Sequence, residues 1–184
     1  MTVVFEEAYY SPQVEERLAK ALEQCLPFRQ DVVLVCIGTD KNLLDCLGPM
    51  VGTMLVYTLP ALKLYGTLDA PLHAQNLPRL LKDIRSKHPE AIEVAIDASV
   101  GSREQVGIIK VRQGGIIPGK AMARQLPEVG DLAITGVVTT KAISNRSGIF
   151  QDGSITPVFH MARTISQALQ IWYDREMDPS RTGI

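Results

Sequence analysis

Two aspartates carry most of the chemistry that this chain could do. Asp45 follows an apolar run (residues 32–37) by a few residues, and Asp97 lies near the end of a second one, AIEVAIDA at 91–98. Where two carboxyls lie within a few ångströms, both do not ionise readily, and one keeps its proton near neutral pH. The ionised member can then activate a water while the protonated one donates to a carbonyl or a leaving group. An imidazole joining the two carboxylates would instead suit a divalent metal that activates the same water. His73 is the histidine for that arrangement, and residue types alone do not choose between the two chemistries. Thr39 and Asp40 directly follow the first run, and Asp69 and His73 follow a weaker one, LYGTL at 64–68.

Each residue also has a plainer role. Asp45 could cap the helix that it precedes, which is compatible with catalysis. Asp97 could anchor a loop, although a buried carboxylate without a partner is costly. Gly38-Thr39-Asp40 suits a turn, and His73, close to Pro71, suits a loop. His88 and His160 read as helix residues. Several familiar machines are missing from the sequence: it has no GxGxxG, no GxxxxGK[ST], no GxSxG and no HExxH. A dinucleotide cofactor, a P-loop nucleotide and a metalloprotease helix are thereby disfavoured, and no cofactor is expected. Ser99 follows Asp97, but no histidine stands near it in sequence to support a serine hydrolase.

The elements that must position these groups are legible. Asp31-Val-Val-Leu-Val-Cys-Ile-Gly38 is a β-branched apolar run ended by glycine, as expected of a strand buried on both faces of a parallel sheet. Further strands are expected at 64–68, 91–98, 106–111 and 131–138. Ser11 and Pro12 suit the start of a first helix, with Val14, Leu18, Ala21, Leu22 and Cys25 on one face. A second helix is expected from about Asp45 to about Tyr57. A third, capped by Asn76, carries Leu77, Leu80, Leu81 and Ile84 and ends near His88-Pro89. The last helix bears Val158, Met161, Ala162, Ile165, Leu169 and Trp172. Strands alternating with helices imply a mostly parallel sheet covered on both sides, in one domain over 1–184. Arg112–Gly130, rich in glycine and proline, is expected to be a long loop, and such loops are often functional. Ligands in open α/β sheets gather at the carboxyl ends of strands, which selects Asp45 and Asp97 again.

Composition excludes several classes of function. Of 184 residues, 46% are hydrophobic, enough for a buried core. The 19 Lys and Arg against 20 Asp and Glu give a net charge of -1, so no electrostatic pull toward nucleic acid is expected. Four glutamates lie among the first sixteen residues, which argues against a signal peptide, and no apolar run is long enough for a membrane helix. Cys25, Cys36 and Cys46 are odd in number and form no CxxC; Cys36 and Cys46, in apolar surroundings, read as small buried hydrophobes and not as a disulfide framework or a zinc site. A cytosolic protein is expected.

Four stretches together resemble the YyaC-type spore proteases. They are Cys36-Ile-Gly-Thr-Asp-Lys-Asn-Leu-Leu-Asp-Cys-Leu-Gly-Pro-Met-Val-Gly52, Tyr65-Gly-Thr-Leu-Asp-Ala-Pro-Leu-His-Ala-Gln-Asn-Leu77, Ala95-Ile-Asp-Ala-Ser-Val-Gly101 and Leu126-Pro-Glu-Val-Gly-Asp-Leu-Ala-Ile-Thr-Gly136. The likeness runs from about residue 31 to 140, and the combination is more specific than any one piece. It implies kinship with the spore germination protease, an aspartic endopeptidase that degrades small acid-soluble spore proteins, and with the hydrogenase maturation endopeptidases. The implied fold is a three-layer α/β/α sandwich of phosphorylase/hydrolase-like type. The resemblance carries the catalytic roles to Asp45 and Asp97, with Thr39, Asp40 and His73 shaping the site. In the hydrogenase-processing relatives the equivalent acids meet a nickel-bearing substrate, which keeps the metal chemistry open. Lys41–Leu44 and Ser99 depart from the pattern. The implied setting is the cytoplasm of a sporulating cell or spore. The implied function is hydrolysis of a protein substrate; a non-catalytic sporulation-related binding or regulatory protein and a metal-dependent hydrolase on the same fold are the alternatives.

Overall fold

The computed structural model describes residues 2–26, 31–118, 126–140 and 154–177. Strands β1 (Val3–Ala8), β2 (Val32–Cys36), β3 (Lys63–Tyr65), β4 (Ile92–Gly101), β5 (Ile108–Gln113) and β6 (Leu132–Thr140) form one six-stranded sheet in the order β1-β5-β6-β4-β2-β3. The β2–β3, β2–β4 and β4–β6 pairings are parallel, while β5 pairs antiparallel with both β6 and β1. Only β5 therefore runs against the rest, and the sheet is mostly parallel. Its helices are α1 (Val14–Cys25), α2 (Leu47–Thr58), α3 (Leu77–Lys87) and α4 (Ile155–Met177), with a short 3-10 turn at Leu43–Asp45.

Every residue of β2 is buried, as its unbroken apolar run requires. Its side chains alternate between two cores. Val32, Leu34 and Cys36 join Leu18, Leu22, Leu47, Val51, Leu55, Ile165, Leu169 and Trp172 on the α1, α2 and α4 face. Val33, Val35 and Ile37 join Leu72, Leu77, Leu81 and Ile84 on the α3 face, with Ile116 and Val129 beside them. Helices thus cover both faces and the sandwich has three layers. Each fully buried Leu, Ile or Val stabilises it by roughly 1.5–3 kcal/mol.

The structure differs from the sequence expectations in identifiable places. β1 was not among the expected strands; it is an edge strand that buries little beyond Phe5, so its apolar signal is weak. Ser11 does not cap α1: Gln13 holds that position at φ 56, and the Ser11 carbonyl accepts from Val14 N–H at 3.2 Å. Asn76 precedes α3 but binds backward, accepting from His73 N–H at 2.9 Å and donating to the Pro71 carbonyl at 3.0 Å. The second helix begins at Leu47, later than expected, because a tight turn intervenes. The expected 64–68 strand is confined to Lys63–Tyr65, and β5 extends to Gln113 into the stretch read as loop. The rest of that stretch forms an Ile116–Val129 bridge, and residues 119–125 lie outside the described residues.

Connectivity marks one place on the sheet. From β2 the chain leaves through α2 to β3, on one side of β2. From β4, the other neighbour of β2, it leaves through β5 to β6, in the opposite direction. The strand order reverses between β2 and β4, the position at which open α/β sheets place their ligand-binding crevice.

Candidate active site

Asp45 and Asp97 stand at that reversal. Asp97 is the sixth residue of β4 and is 9% exposed. Ile96 and Ala98 on either side of it face the α2 core, so Asp97 faces the α3 side together with Ala95. Its Oδ1 accepts the Ala98 N–H at 2.8 Å. Asp45 ends the 3-10 turn that follows β2. That turn is closed by Asn42, whose Oδ1 accepts from Leu44 N–H at 3.1 Å and whose carbonyl accepts from Asp45 N–H at 2.9 Å.

Two glycines allow the turn to press onto the strand ends. Gly38 has φ 144, where a side chain is strained, and an added Cβ would overlap the Asp45 carbonyl oxygen. A Cβ on Gly48, in the first turn of α2, would overlap the Ile37 carbonyl oxygen and lie 2.8 Å from that of Ile96. The helix start therefore sits directly against the end of β2 and the middle of β4. Thr39 N–H donates to the Asp45 carbonyl at 2.9 Å and completes the clasp.

The electrostatics follow from this enclosure. Burial pushes Asp45 up to about 6. Asp97 is driven well above the ordinary carboxylate range, chiefly by burial and next by the negative charge of Asp45, while the Ala98 N–H pulls the other way. Near neutral pH the arrangement is one ionised carboxylate beside one carboxylic acid. Cys46, next in the chain, donates to the Leu43 carbonyl at 2.9 Å, and burial together with the Asp45 charge pushes its thiol up. Burial does the same to Cys36, so neither supplies a ready thiolate. All three cysteines are free.

The other expected site residues divide. Asp40 is exposed, and its Oδ1 lies 3.4 Å from the Thr39 hydroxyl, which also accepts from Lys41 N–H at 3.2 Å. These two shape the turn. His73 follows Leu72, whose carbonyl accepts from Gly38 N–H at 2.9 Å, so it lies beside the site's loop. Its ring Nδ1 accepts from Gln75 N–H at 3.3 Å. Among the described residues, no group of three or more His, Cys, Asp or Glu could hold a metal ion, so the Asp45–Asp97–His73 set is not assembled. Asp45 does not act as the helix cap: Cys46 holds that position, with no side-chain bond. His88 ends α3 with its Nε2 2.9 Å from the Tyr65 hydroxyl, and His160 stacks on Tyr9.

One further polar residue lies beside Asp97 in the sheet, Thr135. The β4–β6 register sets it directly opposite Asp97, and it is 3% exposed.

The fold and site define a three-layer α/β protein with a buried acidic pair at the reversal of a mostly parallel sheet. The chain belongs to the family described as "Protein of unknown function (DUF1256)", whose model matches residues 6–168. It is 31% identical over 179 residues to the uncharacterized protein YyaC of Bacillus subtilis (strain 168), covering 94% of this chain and 86% of that one. Among the described residues no helix is long and apolar enough to cross a membrane.

Proposed function

We propose that the chain is an aspartate-dependent endopeptidase that cleaves a protein substrate in the cytoplasm of a sporulating or germinating cell. The observation that carries this reading is the unequal pair at the strand reversal: Asp45 shifted to about 6 beside a buried Asp97 held protonated. That inequality is what acid–base hydrolysis of an amide requires. The Asp45 carboxylate takes a proton from a water, whose oxygen attacks the scissile carbonyl carbon. Asp97 gives its proton to the carbonyl oxygen as the tetrahedral intermediate forms. Collapse of the intermediate breaks the C–N bond: one of its two hydroxyls returns a proton to Asp97 as the C=O re-forms, and the amine leaves with the proton that Asp45 had taken. No cofactor enters the sequence. Leu43, two residues before Asp45, and Val100, three residues after Asp97, are 40% and 36% exposed and offer apolar surface suited to a polypeptide.

Small acid-soluble spore proteins are the first substrates to try, a choice that rests on the resemblance to the germination protease. The test incubates them with wild type, Asp45→Asn and Asp97→Asn, each verified as folded by circular dichroism. Cleavage by wild type and by neither variant is the expected result. Full cleavage by Asp97→Asn would refute the acid role. Binding without turnover by all three would place the chain among recognition proteins.

A further inference from the structure

We propose that β4 beyond Asp97 is an open strand edge that binds an extended polypeptide through its main chain. Only the naming of that polypeptide as substrate rests on the peptidase reading; the edge is a matter of sheet geometry. β2 and β4 pair from Val32 with Ile92 to Cys36 with Ile96, and there β2 stops. One further bond, from Ile37 N–H to the Ile96 carbonyl at 2.7 Å, ends the ladder, and Thr39 N–H goes to the Asp45 carbonyl instead of to β4. β4 itself runs on to Gly101, paired with β6 along the whole of that length. Burial changes at the same point: Glu93–Asp97 are all buried, whereas Ala98, Ser99 and Gly101 are partly exposed and Val100 is exposed.

Successive residues of a strand turn their main-chain groups to opposite edges. Ile96 turns its carbonyl to β2, so Ala98 and Val100 turn theirs to the same side, past the point where β2 ends. The irregularity between Ser99 and Val100 does not disturb this, because the extra residue belongs to β6: Ser99 pairs with Val137 and Val100 with Thr139. Ala98 N–H is taken by the Asp97 carboxyl at 2.8 Å and not by the Ile37 carbonyl. Among the described residues, the Ala98 carbonyl and Val100 N–H then have no main-chain partner on that side. An acceptor and a donor two residues apart are what one residue of a parallel strand engages, so this pair is the next rung after Ile37. Open edges of this kind take an incoming backbone as a further strand. The occupant is therefore a polypeptide in extended form, since it carries an N–H and a C=O at strand spacing. The rung starts at the residue after Asp97, which sets the bound backbone next to the acid pair. Recognition through the main chain tolerates many side chains and selects unstructured segments over folded ones.

The test reads main-chain amide hydrogen exchange by NMR in Asp45→Asn, which under the reading above leaves a bound peptide uncut. The probe is an end-blocked heptapeptide, Lys-Thr-Val-Thr-Val-Thr-Lys, built of residues that favour extended backbone. Without probe, Val100 N–H should exchange about tenfold or more faster than Asp97 N–H, which faces β6. With probe at millimolar concentration it should slow by about tenfold, the effect of one hydrogen bond closing over it. The same heptapeptide with its three central residues N-methylated keeps the side chains, loses the main-chain donors and should leave Val100 fast. A Val100 amide that is slow without probe shows the edge already closed and overturns the proposal. So does one that stays fast with the unmethylated probe, or one that both peptides protect equally. The result is separable from the peptidase reading. Protection of Val100 with no cleavage of spore proteins by wild type keeps the edge and removes the enzyme. Cleavage by wild type with Val100 unmoved keeps the enzyme and removes the edge.

Discussion

Replacing Asp45 with asparagine should make the protein more stable at neutral pH while removing its chemistry. Asp45 titrates at about 6 instead of the ordinary 3.8, because burial penalises its charged form. The folded state thus binds this proton more tightly than the unfolded chain does. Stability from the group is fully present below about pH 4 and is lost as pH rises through about 6. A difference of about two pH units, at about 1.4 kcal/mol each, costs about 3 kcal/mol at pH 7. Asparagine keeps the shape and carries no charge, but its amide needs partners in a half-closed site, which returns about 1 kcal/mol. The net expectation is a gain of about 2 kcal/mol at pH 7, or roughly 4–8 °C in Tm for a domain of this size. Urea unfolding of wild type and Asp45→Asn at pH 7 and again near pH 4 measures it. The gap should be open at pH 7 and nearly closed at pH 4. A variant less stable than wild type at pH 7, or a gap indifferent to pH, would refute the claim that burial of the Asp45 charge dominates.

Peptidase activity should rise with pH through about 6 as Asp45 ionises and fall at higher pH as Asp97 loses its proton; kcat/KM measured across pH checks both limbs, and a flat profile removes the paired-acid mechanism. Gly48→Ala should destabilise the fold by about 2–4 kcal/mol in urea unfolding, because the new Cβ overlaps the Ile37 carbonyl. Arg85→Met should cost about 1–3 kcal/mol, since Arg85 holds the buried Glu93 by bonds of 2.6 and 2.8 Å and also donates to the Glu128 carbonyl at 3.0 Å. That cluster lies at the start of β4, away from the site, so the pH midpoint of the Asp97 carboxyl, followed by NMR, should stay where it is in Arg85→Met.

Buried parallel strands were the most legible part of the sequence, because two covered faces demand unbroken apolar runs such as VVLVC and AIEVAI. β1 was illegible for the converse reason: as an edge strand it buries one flank, and its sequence alternates without a strong apolar partner. Caps were misread where local turns outcompeted them. Asn76 turns its amide back to Pro71 and His73, and Gln13 takes a left-handed conformation ahead of Val14. Asp45 and Asp97 were legible from position, since each lies just beyond or near the end of a strand-forming run. The place of Thr135 beside Asp97 was not, because single-chain periodicity places a residue on a face but does not give the register between β4 and β6.

The site sets two demands against each other, and the backbone resolves them. An acid that keeps its proton at neutral pH needs burial, while its partner must stay near enough to solvent to ionise. A single strand end would give both carboxyls the same surroundings. Here Asp97 is buried within β4, whereas Asp45 comes from the 3-10 turn that follows β2 and is only partly buried. The turn can approach because Gly38 leaves no Cβ between the end of β2 and Asp45, and Gly48 none between α2 and the Ile37 and Ile96 carbonyls. Asp45 then acts on Asp97 through space, its charge adding to burial in holding the deeper acid neutral. The inequality of the pair is thus built by the sheet's reversal and two missing side chains, with no third charged group required to create it.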